Sequence, residues 1–169
     1  MERIVMLYLI LAAGLIAVDQ LAKLWALCVL RAVETMEVIP GFLRWTYVEN
    51  RGAAFGMLAG QRWILSVVSL VVVAICVWCL AKKKFHSKIE NISVVLIAAG
   101  GFGNLIDRVM RGFVVDYIDV NQLFSYPMFN FADCCVVVGA LLFLGYTFVS
   151  ESVKKKDGEK PPTDSGASE

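Results

Sequence analysis

The chain has 169 residues, of which 59% are hydrophobic and only 18% charged, with a formal net charge of +1. A soluble domain is roughly half apolar and about a quarter charged, so an apolar excess gathered in long runs is that of a membrane protein. The balanced charge gives no basic field for nucleic acid and no acidic solvating tail, and five cysteines in so apolar a chain do not make the disulfide framework of a secreted toxin.

Four runs are long and apolar enough to be membrane helices. Residues 4–30 are apolar up to Asp19, Gln20 and Lys23 and lack a clear small-x-small cleavage site, so they read as a retained helix. Residues 31–62 form the larger outer loop. Within it, Pro40-Gly41 signals a turn, and Leu43, Trp45 and Tyr47 alternate with Arg44, Thr46 and Val48 in a strand pattern. Residues 52–60 (GAAFGMLAG) are expected to lie in the interface as a short helix. Residues 63–81 carry no charge and form the second helix. Residues 92–106 form the third, with Gly100, Gly101, Gly103 and Asn104 at its far end. Residues 107–130 are a second outer segment, and residues 131–149 the fourth helix, with Asp133 near its start. Residues 1–153 are expected to form one domain, and residues 154–169, with Asp-Gly, Pro-Pro and Ser-Gly, a disordered tail.

Lysine placement sets the direction. Lys82, Lys83, Lys84 and Lys88 lie between the second and third runs, and Lys154, Lys155, Lys156 and Lys160 follow the fourth; only Lys23 lies elsewhere. The positive-inside rule puts that link and both termini in the cytoplasm.

Five of the seven aspartates, Asp19, Asp107, Asp116, Asp119 and Asp133, then fall toward the outer ends of the helices or just beyond them, in one layer with Asn50, Asn104, Arg108 and Asn130. A carboxylate costs about 2.5–3.5 kcal/mol at the centre of a membrane helix and less near the interface, so acids gathered on one side suggest a polar pocket opening outward. Asp116 sits in an apolar stretch that ought to be partly buried, and the chain can fold back to bring Asp133 to it. Two close carboxylates share a proton: the ionised one can activate water, the protonated one can donate to a carbonyl oxygen and then to the leaving amine. Such a pair hydrolyses a peptide bond without metal or cofactor. The lone His86 lies in the lysine link, so histidine triads and zinc motifs have no material here.

Ordinary structural roles are expected for several polar residues. Asp19 and Lys23, spaced i,i+4, read as a buried ion pair. Asp107 beside Arg108 reads as a structural pair, Asp119 as a solvated acid, and Asn130 as an N-cap for Asp133's helix. Cys76-x-x-Cys79 and the vicinal Cys134-Cys135 read as core residues, not ligands. A proton-coupled transporter or channel subunit is the rival function. Transporter sites usually lie near the midplane between internal repeats, whereas these acids cluster on one side and no repeat is evident.

Five stretches in order, Asp19-Gln20-Leu21-Ala22-Lys23, Glu49-Asn50-Arg51-Gly52-Ala53-Ala54-Phe55, Gly100 to Arg108 (GGFGNLIDR), Val114 to Asp119 (VVDYID) and Phe129-Asn130-Phe131-Ala132-Asp133, closely resemble the lipoprotein signal peptidase (signal peptidase II) family of bacterial membrane aspartic peptidases. The resemblance implies an all-α membrane fold of four transmembrane helices with a small extracytoplasmic β-rich element from the first loop. It implies that Asp116 and Asp133 are the catalytic dyad, with Asn50, Asn104, Arg108 and Asn130 orienting them or binding substrate. The implied substrate is a diacylglyceryl-modified prolipoprotein, cut just before its lipidated cysteine at the outer face of the cytoplasmic (inner) membrane. Inhibition by globomycin-type cyclic peptides is expected, with membrane lipids as surroundings, no nucleic-acid partner, and a monomer sufficient.

Overall fold

The computed structural model describes residues 2–52, 57–58, 60–120 and 126–158. Helix α1 spans Glu2–Trp25 and continues through a π-helical turn, Ala26–Leu30, into a last short turn α2, Arg31–Val33. Strands β1 (Thr35–Ile39) and β2 (Leu43–Asn50) follow, then α3 (Arg62–Ala81), α4 (Lys88–Met110), β3 (Val114–Asp119) and α5 (Phe131–Gly158). Four of the helices are long and apolar enough to cross a membrane. Much of their surface, such as Leu7, Leu9, Val67, Val71, Leu141 and Val149, is exposed apolar side chain, as expected where lipid is the solvent.

Helix α4 is central and packs against α1, α3 and α5. Its start is fixed by a capping box: the Ser87 side chain accepts the Ile89 N–H, and Glu90 accepts the Ser87 N–H at 3.1 Å. Its buried residues include the small Ser93, Ala98, Ala99, Gly100 and Gly103 beside Val94, Val95 and Leu105. Small residues let α4 and α5 touch backbone to backbone: a Cβ on Gly100 would lie 2.3 Å from the Ala132 carbonyl oxygen, and one on Gly139 would lie 2.7 Å from the Ser93 carbonyl oxygen. Cys76, Val94 and Ala98 form a buried cluster between α3 and α4 that Phe143 of α5 closes.

The three strands form one antiparallel sheet in the order β1-β2-β3. The β1–β2 hairpin turns at Pro40-Gly41, where Gly41 has φ 73° and the Phe42 N–H donates to the Ile39 carbonyl at 3.0 Å. Strand β3 comes from the segment between α4 and α5, so the sheet is not built from the first loop alone. It pairs with β2 through Asn50↔Val114 and Val48↔Asp116. The sheet sits on the end of α1, where Ala26, Leu30, Val115 and Tyr117 make a second buried cluster with Trp45, Phe113 and Phe131. The lysine-bearing link between α3 and α4 lies at the other end of those helices.

Two expectations need correction. Asp119 is not solvated: it is fully buried, accepting from Arg44 at 2.7 Å and from the Thr46 hydroxyl at 3.1 Å across the sheet. Residues 154–158, assigned to the tail, continue α5. Residues 159–169 and most of the short interfacial helix expected within 52–60 lie outside the described residues.

Candidate active site

Asp116 sits in the middle of β3, and Asp133 in the first turn of α5. The segment between them brings both to the sheet end of α4. Phe129 pairs with Ile118 as an isolated bridge, which turns the chain back so that α5 starts beside β3. The start of α5 is held by a reciprocal cap. Asn130 Oδ1 accepts the Asp133 N–H at 3.0 Å, and Asp133 Oδ2 accepts the Asn130 N–H at 3.1 Å.

Three asparagines hold the two acids. Asn130, itself fully buried, donates through Nδ2 to Asp116 Oδ1 at 2.6 Å. Asn50, the last residue of β2, donates to Asp116 Oδ2 at 2.8 Å, and its own Oδ1 accepts the Gly52 N–H at 2.9 Å. Asn104 on α4 donates to Asp133 Oδ1 at 2.8 Å. Arg108, one turn further along α4, reaches its own helix at the Asn104 carbonyl and Gly52 across the site. Asp116 is almost fully buried, and its carboxyl is pushed up to about 7, first by burial and then by the nearby charge of Asp133, against hydrogen bonds from Asn50 and Asn130 that lower it.

Both acids line a cavity of about 400 Å³ together with Asn50, Asn104 and Arg108. Away from the acids its walls are mostly apolar: Leu65, Val68 and Val72 of α3 with Ser69 among them, Ile97 and Gly101 of α4, Val136 and Val137 of α5. From Asn104 to Ile97 the trench follows α4 for seven residues, about 10 Å at 1.5 Å per residue, toward the middle of the helix bundle. An apolar trench ending at two carboxylates can seat a greasy chain and present a polar bond beside it to a pair of acid–base groups.

The other predicted residues lie behind the acids. Lys23 and Asp19 form an ion pair at 2.9 Å, with both residues buried. Asp107 joins them: it lies 3.0 Å from the Lys23 ammonium and also pairs with Arg111. The expected Asp107–Arg108 pair is therefore replaced by an i,i+4 pair with Arg111, because neighbours in a helix point about 100° apart while i and i+4 share a face. Gln20, which the sequence reading gave no role, donates to the Gly103 carbonyl at 3.2 Å and to Asp19. The cue for Arg111 was its spacing of four from Asp107; the cue for Gln20 was its place in an apolar run between Asp19 and Lys23. Among the described residues no three His, Cys, Asp or Glu side chains converge as metal ligands.

Comparison with known proteins settles the family. The model of Signal peptidase (SPase) II matches residues 11–149. The chain belongs to the signal peptidase II family. It is 40% identical over 153 residues to a lipoprotein signal peptidase of Clostridium acetobutylicum, covering 89% of this chain and 97% of that one. It is 43% identical over 147 residues to the lipoprotein signal peptidase of Clostridioides difficile, covering 87% and 98%. Its fold is similar to that of a bacterial membrane enzyme solved by the in meso method at 2.3 Å, with TM-score 0.77 and 28% identity, covering 95% of this chain and 94% of the other. A second such enzyme, solved at 1.9 Å, gives TM-score 0.75 and 30% identity over 83% and 91%. The protein is thus a multi-pass membrane peptidase of lipoprotein processing. The four-helix fold with its small sheet, expected from sequence, is the fold of this signal peptidase.

Proposed function

We propose that this signal peptidase removes the signal peptide of diacylglyceryl-modified bacterial prolipoproteins, cutting just before the lipidated cysteine, with Asp116 and Asp133 activating water. The reading rests on one observation: both carboxylates are bridged by Asn130 at the polar end of an apolar trench. Asn50, Asn104, Arg108 and Asn130 orient the pair or contact the substrate.

In the reaction the ionised carboxylate of the pair takes a proton from water, whose oxygen attacks the scissile carbonyl carbon. The protonated carboxyl donates to the carbonyl oxygen, giving a neutral gem-diol. The C–N bond then breaks as the amine takes a proton from the carboxyl that had accepted it, and the gem-diol returns its proton to the other. The pair ends as it began, with one water consumed. Nothing in this cycle calls for a metal or a cofactor.

The orientation follows the lysines: the link between α3 and α4 and both termini are cytoplasmic, and the acids lie at the outer face of the cytoplasmic membrane. Residues 1–153 act as one peptidase unit, and a monomer suffices because one chain supplies the whole pocket. Globomycin-type cyclic peptides are expected to inhibit by filling that pocket. The deciding experiment is Asp116→Asn and Asp133→Asn, each purified and assayed on a lipid-modified precursor. Both are expected to stay folded and to lose cleavage; wild-type turnover by either variant would remove that residue from the mechanism.

A further inference from the structure

Lys23 is fully buried, and its ammonium meets three acceptors: Asp19 Oδ2 at 2.9 Å, Asp107 Oδ2 at 3.0 Å and Asn104 Oδ1 at 2.8 Å. The two carboxylates alone over-compensate one cation, and Arg111 on Asp107 brings the group to neutrality. Charge pairing therefore does not require the third contact. That contact falls on the asparagine that holds Asp133.

A lysine ammonium can only donate, so the Asn104 atom facing it is the oxygen, and the amide's NH2 must point the other way. There it donates to Asp133 Oδ1 at 2.8 Å. The two carboxylates beside Lys23 reach the same site through the main chain. Asp19 Oδ1 accepts the N–H of Ala132, the residue before Asp133, at 3.1 Å. Asp107 Oδ2 accepts the N–H of Val115, the residue before Asp116, at 3.1 Å. One cation thus ties together three fixings: the Asn104 amide, the backbone entering Asp133 and the backbone entering Asp116.

We propose that Lys23 is a positioning residue of the peptidase, which sets the placement of Asp133 through the Asn104 amide and the spacing of the two acids through Asp19 and Asp107. The inference rests on the dyad reading above and goes beyond an ion pair that merely holds α1 to α4. The glycine at position 103 fits it: a Cβ there would lie 2.5 Å from Asp19 Oδ2, so a bare backbone lets the carboxylate reach across α4 to α5.

The test uses the full-length protein in lipid micelles, a lipid-modified precursor peptide, and thermal unfolding run alongside. Lys23→Met is expected to lower kcat about 100-fold, the loss a misplacement of about 1 Å produces, with KM changed by less than about twofold. Its pH–rate profile is expected to move to higher pH, because the Lys23 charge lowers the Asp116 carboxyl. The other charges around Lys23 (Asp19 of α1, Asp107, Arg108 and Arg111 of α4, Asp133 of α5) stay in place. Lys23→Met combined with Asn104→Ala is expected to lose less than the two single losses multiplied together, since part of the lysine's effect runs through the amide and part through Asp19 and Asp107. A lower melting temperature with unchanged kcat, or losses that add in the double variant, would overturn the proposal. If Lys23→Met does not fold, Lys23→Arg decides, because it keeps the charge but replaces the compact ammonium among three acceptors with a planar fork: a wild-type kcat there overturns the proposal, and a loss of kcat at an unchanged melting temperature supports it. Asp116→Asn separates the two readings. Full activity in that variant defeats the dyad itself, whereas an inactive Asp116→Asn beside a fully active Lys23→Met defeats only the positioning role.

Discussion

Asn130 and Asp133 cap each other at the start of α5, and the same Asn130 side chain donates to Asp116 at 2.6 Å. One residue therefore serves the helix through its oxygen and the second acid through its nitrogen. The two services can be separated. Asn130→Ser keeps a good N-cap oxygen but has no reach to Asp116, whereas Asn130→Ala loses both. Asn130→Ala is expected to lose about 1 kcal/mol of stability or more, with Asn130→Ser recovering most of it. Both are expected to lose peptidase activity. Thermal unfolding and initial rates on the same samples check this; an active Asn130→Ser would mean that the bridge to Asp116 is dispensable.

The pH dependence follows from Asp116, whose carboxyl is raised from 3.8 to about 7. Between those values the folded protein holds a proton there that the unfolded chain has released. Stability is therefore expected to fall as pH rises from 3.8 to about 7, and to level off above it. On the proposed dyad mechanism, with Asp116 as the protonated partner, the carbonyl oxygen takes that proton, so kcat/KM is expected to drop as pH rises past about 7. Asn50 lowers the Asp116 value by donating to the ionised form. Asn50→Ala is thus expected to move the alkaline limb upward. A limb that moves down, or stays where it was, would show that another group carries the proton.

Much of this was readable in the sequence because membrane burial makes polar residues costly, so those that remain in apolar runs mark the site. Asp19, Lys23, Asn104 and Asp133 stand out for that reason, and the lengths of the apolar runs give the helices. What could not be read is which polar groups pair. Asp107 lies next to Arg108 in the chain but turns to Lys23 and Arg111. Asp119 looks like a loop acid, yet register with β2 buries it against Arg44. Strand β3 was hidden because it pairs with a strand about 70 residues earlier, and its apolar Val114-Val115 and Tyr117-Ile118 read equally as a buried loop. The role of Asn130 as a bridge depends on Phe129 pairing with Ile118, a long-range fact that local spacing does not contain.

The close approach of α4 and α5 gives a sharper expectation than glycine content alone. Gly100→Ala places a methyl 2.3 Å from a backbone oxygen of Ala132, which no side-chain rotation relieves. The helices must part, and overpacking of this kind costs about 1–3 kcal/mol. Because Ala132 precedes Asp133, the same shift is expected to lower kcat. Gly14→Ala on α1 meets nothing within 4 Å and is expected to leave both unchanged. Equal melting temperatures and rates for the two variants would show that α4 and α5 are not held this tightly.

The trench beside the acids offers a seat for the acyl chain of the proposed lipid-modified substrate. Its far walls are mostly Val, Leu and Ile side chains of α3, α4 and α5, with Ser69 among them, and its charged groups are confined to the end with Asp116 and Asp133. An acyl chain laid along it would stabilise binding by about 0.8 kcal/mol for each methylene buried. Precursor peptides with progressively shorter acyl chains are therefore expected to lose roughly tenfold in kcat/KM for every two methylenes removed from the trench. The loss is expected to stop once the remaining chain no longer reaches the stretch of the trench between Gly101 and Ile97. A non-acylated precursor is expected to be the poorest substrate of the series. If it is cleaved as fast as the fully acylated one, the trench grips some other part of the precursor, and the hydrophobic stretch of the signal peptide becomes its occupant instead.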